Sequence, residues 1–301
     1  MRSILHSITS ALGDGIDSLG ADGAALQGFL HARMNPDGAF QGRTGRSDLY
    51  YTAFGAELLA LFPEDRDARR TAEFLLRQDP GASPGFMDLV GLARARMRLL
   101  PNRTPWQWRH AMADRIASFR CADGTFHTQP DSRTGTATST FMAWTALEAL
   151  EFLPATWDSL LAALDRLKSP GGGYANLPGL SAGNVPATAA VITLRMCLAA
   201  EPSPAACRWM LEACHDSGGF RAFPDAPPPD LLSTGTALLA LAAQGMDTRP
   251  LAPLSRAFIA DRRDGSGGYT GHAFDSTADV EYTYYAMLGL GSLCTPAGQA
   301  R

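Results

Sequence analysis

Six short glycine–aromatic signatures recur along the chain, and their even spacing constrains the fold more than any other feature. They are DGAF ending at Phe40, PGF at Phe86, DGTF at Phe126, GGGY at Tyr174, GGF at Phe220 and GGY at Tyr269, with intervals of 46, 40, 48, 46 and 49 residues. A repeat of this length marks one supersecondary unit copied along the chain, each copy needing a neighbour to bury its apolar face. With 301 residues and 46% hydrophobic side chains, the chain has the material for one large core.

Each unit has the same grammar. An amphipathic stretch precedes the glycine signature, a polar Gly/Pro-rich loop follows it, and a second, more apolar stretch begins near a Ser or Thr. In the fifth unit these are ACRWMLEACH, DSGGFRAFPDAPPPD and LLSTGTALLALAAQG. The periodicity reads as helix–loop–helix. The second helices, such as TALLALAA, STFMAWTAL and TYYAMLGL, are apolar or small on nearly every face, so they are predicted to be buried. The first helices carry Arg, Asp and Glu and are predicted to be partly wetted. Two layers follow, six inner helices and six outer ones. Burial of all six inner helices favours a closed ring over a linear stack, which would need polar caps at both ends.

The fold class expected is all-α, an (α/α)6 toroid or barrel of six helix-pair repeats. It is expected over residues 20–295, after an N-terminal arm of residues 1–19 and before a C-terminal tail of residues 296–301. The proline-rich segments around Pro130, Pro178 and Pro224 to Pro229 fall inside equivalent repeat loops and do not read as an interdomain linker. The second unit departs from the pattern: almost no loop follows Phe86, and its inner helix carries Arg94, Arg96 and Arg98. These arginines are expected at the wet end of a shortened unit.

Several functional classes are disfavoured. The net charge of −4 gives no general nucleic-acid surface. No run approaches 18 continuous apolar residues, so no transmembrane segment is expected. Five cysteines cannot all pair and none forms a C-x-x-C motif, so a reducing, cytoplasmic location is expected. There is no G-x-S-x-G, H-E-x-x-H or P-loop. Cys207, Cys214 and His215 are expected to pack on an outer helix, and His127 and His272 to lie on surface loops.

The strings DGAFQGRTGRSDLYYTAFGAELLALF and GGYTGHAFDSTADVEYTYYAMLGLGSL resemble the repeats of protein geranylgeranyltransferase β subunits. The chain as a whole resembles the α/α-toroid superfamily that contains protein prenyltransferase β subunits and terpenoid cyclases. The resemblance implies a central aromatic-lined cavity for an isoprenoid, and a helical protein partner. In the prenyltransferases it also implies zinc held by Asp, Cys and His. Asp230 matches the aspartate, but the cysteine position is Leu232 and the histidine position is Tyr282. Leucine donates nothing and a neutral phenol replaces imidazole poorly, so no metal and no cofactor are expected. Glu281, one residue away, points about 100° from Tyr282 on a helix. The D-x-D-D acid of protonating cyclases and the D-D-x-x-D of diphosphate-ionising cyclases are both missing.

The starts of the inner helices hold the candidate site. Asp279, Glu281 and Tyr282 are the catalytic candidates, with Asp279 also suited to N-capping its helix. Tyr51, Phe54, Phe141, Trp144, Tyr284 and Tyr285 are candidate substrate-binding aromatics, and Asp230 a polar rim residue. Arg43 and Arg46, in GRTGRSD, are candidate cations at the mouth, with Arg133 beside them. A carboxyl poorly exposed to solvent keeps its proton and becomes an acid, and aromatic faces stabilise a carbocation. The function expected is a prenyltransferase- or terpenoid-cyclase-like enzyme acting on a hydrophobic, isoprenoid-class substrate without the usual zinc site. The alternative is a non-catalytic toroid that binds a peptide, lipid or protein partner.

Overall fold

The computed structural model describes residues 3–62, 65–79, 81, 85–154, 157–223 and 228–294. The C-terminal tail and part of the Pro224 to Pro229 loop lie outside the described residues. Thirteen α-helices occur among them. After α1 (Ile4–Asp17) they alternate as outer and inner members of six pairs. The outer helices are α2 (Gly23–Ala32), α4 (Arg66–Leu76), α6 (Trp106–Ala117), α8 (Asp158–Asp165), α10 (Pro204–Glu212) and α12 (Ala252–Ala260). The inner helices are α3 (Leu49–Leu59), α5 (Phe86–Leu99), α7 (Ala137–Leu150), α9 (Val185–Cys197), α11 (Leu231–Ala243) and α13 (Val280–Ser292). The protein is an all-α toroid: each inner helix packs on the next, and α13 packs back on α3 to close the ring.

The repeat signature has a definite mechanical role. The aromatic residue of each full unit is buried, and its backbone N–H donates to the hydroxyl of a threonine one turn into the inner helix. The pairs are Phe40–Thr52 (3.0 Å), Phe126–Thr140 (3.0 Å), Tyr174–Thr188 (2.9 Å), Phe220–Thr234 (2.9 Å) and Tyr269–Thr283 (3.1 Å). Each threonine hydroxyl in turn donates to the carbonyl of its helix's N-cap residue. One side chain thereby satisfies a buried amide and fixes the angle at which the loop enters the helix. The second unit lacks the device because Phe86 is itself the first residue of α5.

The glycine preceding the aromatic serves a close approach between units. Gly267 has φ 89°, and a Cβ there would meet the Ala25 carbonyl on α2. The last unit thus reaches the first in the outer layer as well as the inner, and only glycine fits both the dihedral and the gap.

The N-terminal segment forms α1, capped by Ser3, whose hydroxyl oxygen accepts from the His6 amide at 3.1 Å. It lies across the end of the ring where the inner helices finish. Its first residues, Ser3, Ile4 and Leu5, lie against Glu148 in the last turn of α7. Along α13 the backbones nearly touch: a Cβ on Gly15 would meet Met287, and one on Gly291 would meet Ala11. Ile8 reaches the central cavity.

Candidate functional site

The centre of the ring holds a cavity of about 450 Å³, within the range of about 300–1,000 Å³ typical of ligand pockets. Its aromatic wall comes from Tyr50 and Phe54 of α3, Phe141 of α7, and Tyr284 and Tyr285 of α13, all on inner helices. Phe54 stands 5.0 Å from Tyr50 and 5.1 Å from Tyr284, ring centre to ring centre, in edge-to-face contacts. Leu232, Leu239, Leu288 and Ala190 complete an apolar surface, and Ile8 closes it from below. Thr138, Asn176 and Asn184 supply polar groups near the starts of α7 and α9.

The mouth is built from helix caps. Asp48, Thr136, Asn184, Asp230 and Asp279 each accept backbone N–H bonds at the start of an inner helix, a set of interactions typically worth about 1 kcal/mol apiece. At the seam between the last and first units, Arg43 spans the join. Its guanidinium donates to Asp279 at 2.9 Å and to Asp275 at 3.0 Å, stands beside Tyr51, and lies 5.5 Å over the Tyr282 ring. Burial raises the Asp279 carboxyl above its ordinary range even though Arg43 opposes it, while Asp275 is held below its ordinary range by the Thr277 amide and Arg43 against burial. Burial pushes the Tyr282 phenol up to about 12, with Glu281 adding to the shift.

Beside this cluster, the Tyr50 hydroxyl donates to Glu281 Oε1 at 2.6 Å. Burial raises Glu281 to about 7, against the Tyr50 hydrogen bond that lowers it, and Asp279 adds to the rise. Glu281 is therefore a carboxyl able to hold a proton near neutral pH. Tyr50 belongs to the cavity wall, so this proton is one hydrogen bond from the cavity.

The structure divides the candidates drawn from the sequence. Phe54, Phe141, Tyr284 and Tyr285 line the cavity. Tyr51, Tyr282, Asp279 and Arg43 stand together at the seam, and Glu281 links that seam to the cavity through Tyr50. Trp144 is buried with its ring 4.6 Å from Trp157 at the start of α8, so it packs between layers. Asp230 caps α11, and Arg46 is exposed. Arg94 and Arg96 of α5 do not sit at a wet end. Arg96 is buried against the Trp108 ring at 4.2 Å, and Arg94 lines the cavity, 2.5 Å from Glu57. Tyr50 and Arg94 thus line the cavity, and Glu57 pairs with Arg94 beside it; of the three, sequence reasoning passed over Glu57 alone. An arginine about two turns into an inner helix, with an acid at the matching depth of α3, was the available signal.

The donors at the prenyltransferase zinc position do not fit that metal. Asp230 spends Oδ1 on the Ser233 amide at 2.7 Å and Oδ2 on the Ser233 hydroxyl at 2.8 Å. Leu232 presents hydrocarbon to the cavity, and Tyr282 keeps its proton. Among the described residues no three His, Cys, Asp or Glu side chains gather to hold a metal ion. No described helix is long and apolar enough to cross a membrane.

A ring of six helix pairs around an aromatic-lined cavity defines an α/α toroid. The chain belongs to the prenyltransferase alpha-alpha toroid domain family, whose sequence model matches residues 92–202 and 187–295. Among solved structures, it is similar to a variant of the type II terpene cyclase MstE from Scytonema in complex with geranylgeranyl dihydroxybenzoate. The TM-score is 0.63 at 13% identity, over 96% of this chain and 98% of that one. It is also similar to a protein from Actinoplanes, with a TM-score of 0.62 at 18% identity over 96% and 100%. Candida albicans protein geranylgeranyltransferase-I complexed with GGPP gives 0.52 at 13% identity over 69% and 82%. These likenesses speak to the fold. No curated protein sequence matches the chain.

Proposed function

We propose that the chain is a zinc-independent toroid enzyme that takes a hydrophobic, isoprenoid-class substrate into its central cavity and starts its cyclisation by proton transfer. The observation that carries this reading is the Glu281–Tyr50 pair, an acid poised near 7 that bonds a hydroxyl in the cavity wall. The substrate bound by the terpene cyclase and the GGPP bound by the geranylgeranyltransferase named above support the ligand class.

The chemistry balances through these two residues. When Glu281 is protonated, its O–H donates to Tyr50 Oη and turns the hydrogen bond around. The Tyr50 proton then passes to an alkene carbon of the substrate as the Glu281 proton replaces it. The alkene π pair forms the new C–H bond and leaves a cation on the more substituted carbon. Faces of Phe54, Phe141 and Tyr285 stabilise that cation while a second alkene attacks it. Loss of a proton from the carbon beside the final cation restores an alkene and returns a proton to Glu281, so the net reaction is an isomerisation.

Cyclisation through protonation is favoured over diphosphate ionisation by the charge at the mouth. Arg43 is already committed to two carboxylates, Asp275 and Asp279, and the seam around it is net negative. A diphosphate placed there would meet repulsion.

The test is to incubate the protein with C10, C15 and C20 isoprenoid alcohols and esters, follow complexes by native mass spectrometry, and identify ring products by gas chromatography–mass spectrometry. Wild type should bind and isomerise at least one of them, with turnover lost in Glu281→Gln and cut at least tenfold in Tyr50→Phe. Binding without turnover would favour the ligand-binding toroid instead, and absence of binding across the panel would refute both.

A further inference from the structure

The aromatic wall of the cavity contains one polar interruption that the proton-transfer pair does not use. Arg94 of α5, Glu57 of α3 and Tyr284 of α13 meet there. Arg94 Nη2 lies 2.5 Å from Glu57 Oε1 and donates to the Tyr284 hydroxyl at 3.2 Å, and that hydroxyl donates to Glu57 Oε2 at 3.2 Å. The Arg94 and Glu57 side chains are 13% and 9% exposed, so this is a buried ion pair in an apolar room. Burial works against the Arg94 charge, but Glu57 and Tyr284 outweigh it and hold the guanidinium above its ordinary pKa.

Such a pair is expensive to bury, and an apolar trio of similar volume would join three helices at least as well. It is also incompletely used. A guanidinium carries five N–H donors. The contacts above engage only Nη2, Nε is buried without a hydrogen-bond partner, and Arg94 still forms part of the cavity lining.

Its depth matters. Arg94 is eight residues into α5 and Glu57 eight residues into α3, roughly 12 Å below the helix starts at 1.5 Å per residue. A group bound at the mouth would not meet them. Tyr50, in the first turn of α3, stands about 11 Å above Glu57 by the same rise.

We propose that Arg94, held by Glu57 and Tyr284, is a binding subsite for a neutral oxygen function on the substrate: a hydroxyl, carbonyl or ether carried by the end that enters first. The subsite rests on the isoprenoid reading of the cavity and narrows it to oxygenated isoprenoids. Arg94 donates to the ligand oxygen. Glu57 balances the guanidinium charge, so a carboxylate at the same place meets a like charge and binds more weakly. Anchoring the oxygen at this depth leaves an alkene one to two helix turns higher facing Tyr50.

Binding of farnesol, the hydrocarbon lacking its hydroxyl, and farnesoic acid tests the subsite. Affinities are read by competition against a fluorescent polyene in the full-length protein. Wild type should bind the alcohol at least tenfold more tightly than either the hydrocarbon or the acid. Glu57→Gln, which leaves Arg94 uncompensated, should keep the alcohol within about threefold and strengthen the acid at least tenfold. Because Arg94→Met alone strands a buried carboxylate, the paired variant Arg94→Met/Glu57→Met is the better deletion. It should bind hydrocarbon as well as wild type does and show no preference for the alcohol. In infrared spectra, bound farnesal should show its carbonyl stretch lowered in wild type and not in the paired variant, a readout that a purely structural ion pair would leave unmoved. Equal affinity of wild type for alcohol and hydrocarbon, or an alcohol preference that survives the paired variant, overturns the subsite and leaves the isoprenoid reading standing. Failure of all three ligands to bind overturns both.

Discussion

The Tyr50 hydroxyl reaches across the join between the first and last repeats to Glu281, 231 positions away in sequence, and closes on it at 2.6 Å. A hydrogen bond this far apart in the chain exists only because the ring closes. It makes the acid and the cavity wall products of the same event.

Glu281 should give the protein a pH-dependent stability of known sign. Its folded pKa, about 7, lies above the ordinary value of 4.5, so between these values the folded state binds the extra proton. Its contribution is fully present below 4.5 and is lost as pH rises through 7, on the order of 3 kcal/mol in all. Thermal unfolding of wild type and Glu281→Gln from pH 4 to 8 should show the variant losing less stability over that interval. Parallel curves would refute the assignment. Tyr50→Phe removes a bond that lowers this pKa, so carbon-13 titration should place Glu281 still higher in that variant.

Asp279 should act chiefly as a cap. Its carboxylate accepts from the Tyr282 amide at 2.8 Å. Asp279→Asn keeps that acceptor and should cost less than about 0.5 kcal/mol beyond the loss of Arg43 pairing, whereas Asp279→Ala should cost about 1–2 kcal/mol more. Chemical denaturation of the three proteins measures the difference. Arg43→Met should cost only about 1 kcal/mol, because its side chain is 48% exposed.

The glycine contact between α1 and α13 gives a sharp pair of substitutions. Gly291→Ala forces a methyl into the Ala11 backbone and should lower stability by at least about 2 kcal/mol. Gly13→Ala, in the same α1 helix with nothing within 4 Å of its Cβ, should raise stability by about 0.5–1 kcal/mol. Melting temperatures moving in the same direction would show that α1 does not pack as described.

Ile8 should set the depth of the cavity. Ile8→Trp places a larger side chain on its floor, so a ladder of C10, C15 and C20 isoprenoid alcohols should lose the longest member first, by at least tenfold in affinity. A uniform loss along the ladder would point to general damage to the fold.

The repeat was legible in the sequence because it has a local cause. A glycine, an aromatic and a threonine 12 or 14 residues further on are what one buried amide needs, and the requirement recurs in every full unit. The acid candidate Glu281 and the aromatics Phe54, Phe141, Tyr284 and Tyr285 were legible because helical periodicity places them near inner-helix starts. Tyr50 was harder to separate from Tyr51. Adjacent tyrosines differ only in which way a 100° turn points them, and the packing of α3 on α13 decides which one meets the cavity. Arg94 was harder still, since its environment depends on Glu57, 37 positions earlier on another helix. Charge on a short repeat reads as solvent-facing until its partner is known. The role of α1 is carried by Gly15 and Gly291, whose meaning appears only when the two ends of the chain are set side by side.

That meeting of ends has a bearing on how the protein is made. α1 leaves the ribosome before the six repeats, and the surface against which it packs most extensively, α13, belongs to the sixth of them. During synthesis Ile4, Ile8 and Leu12 have no permanent place to go, although all three are buried in the finished protein. The early chain must therefore carry an apolar helix that waits for almost the whole sequence to follow. Contacts so distant in sequence slow folding and prolong exposure to wrong partners. Emergence of α13, and not of any earlier repeat, is then the step that gives α1 its native partner.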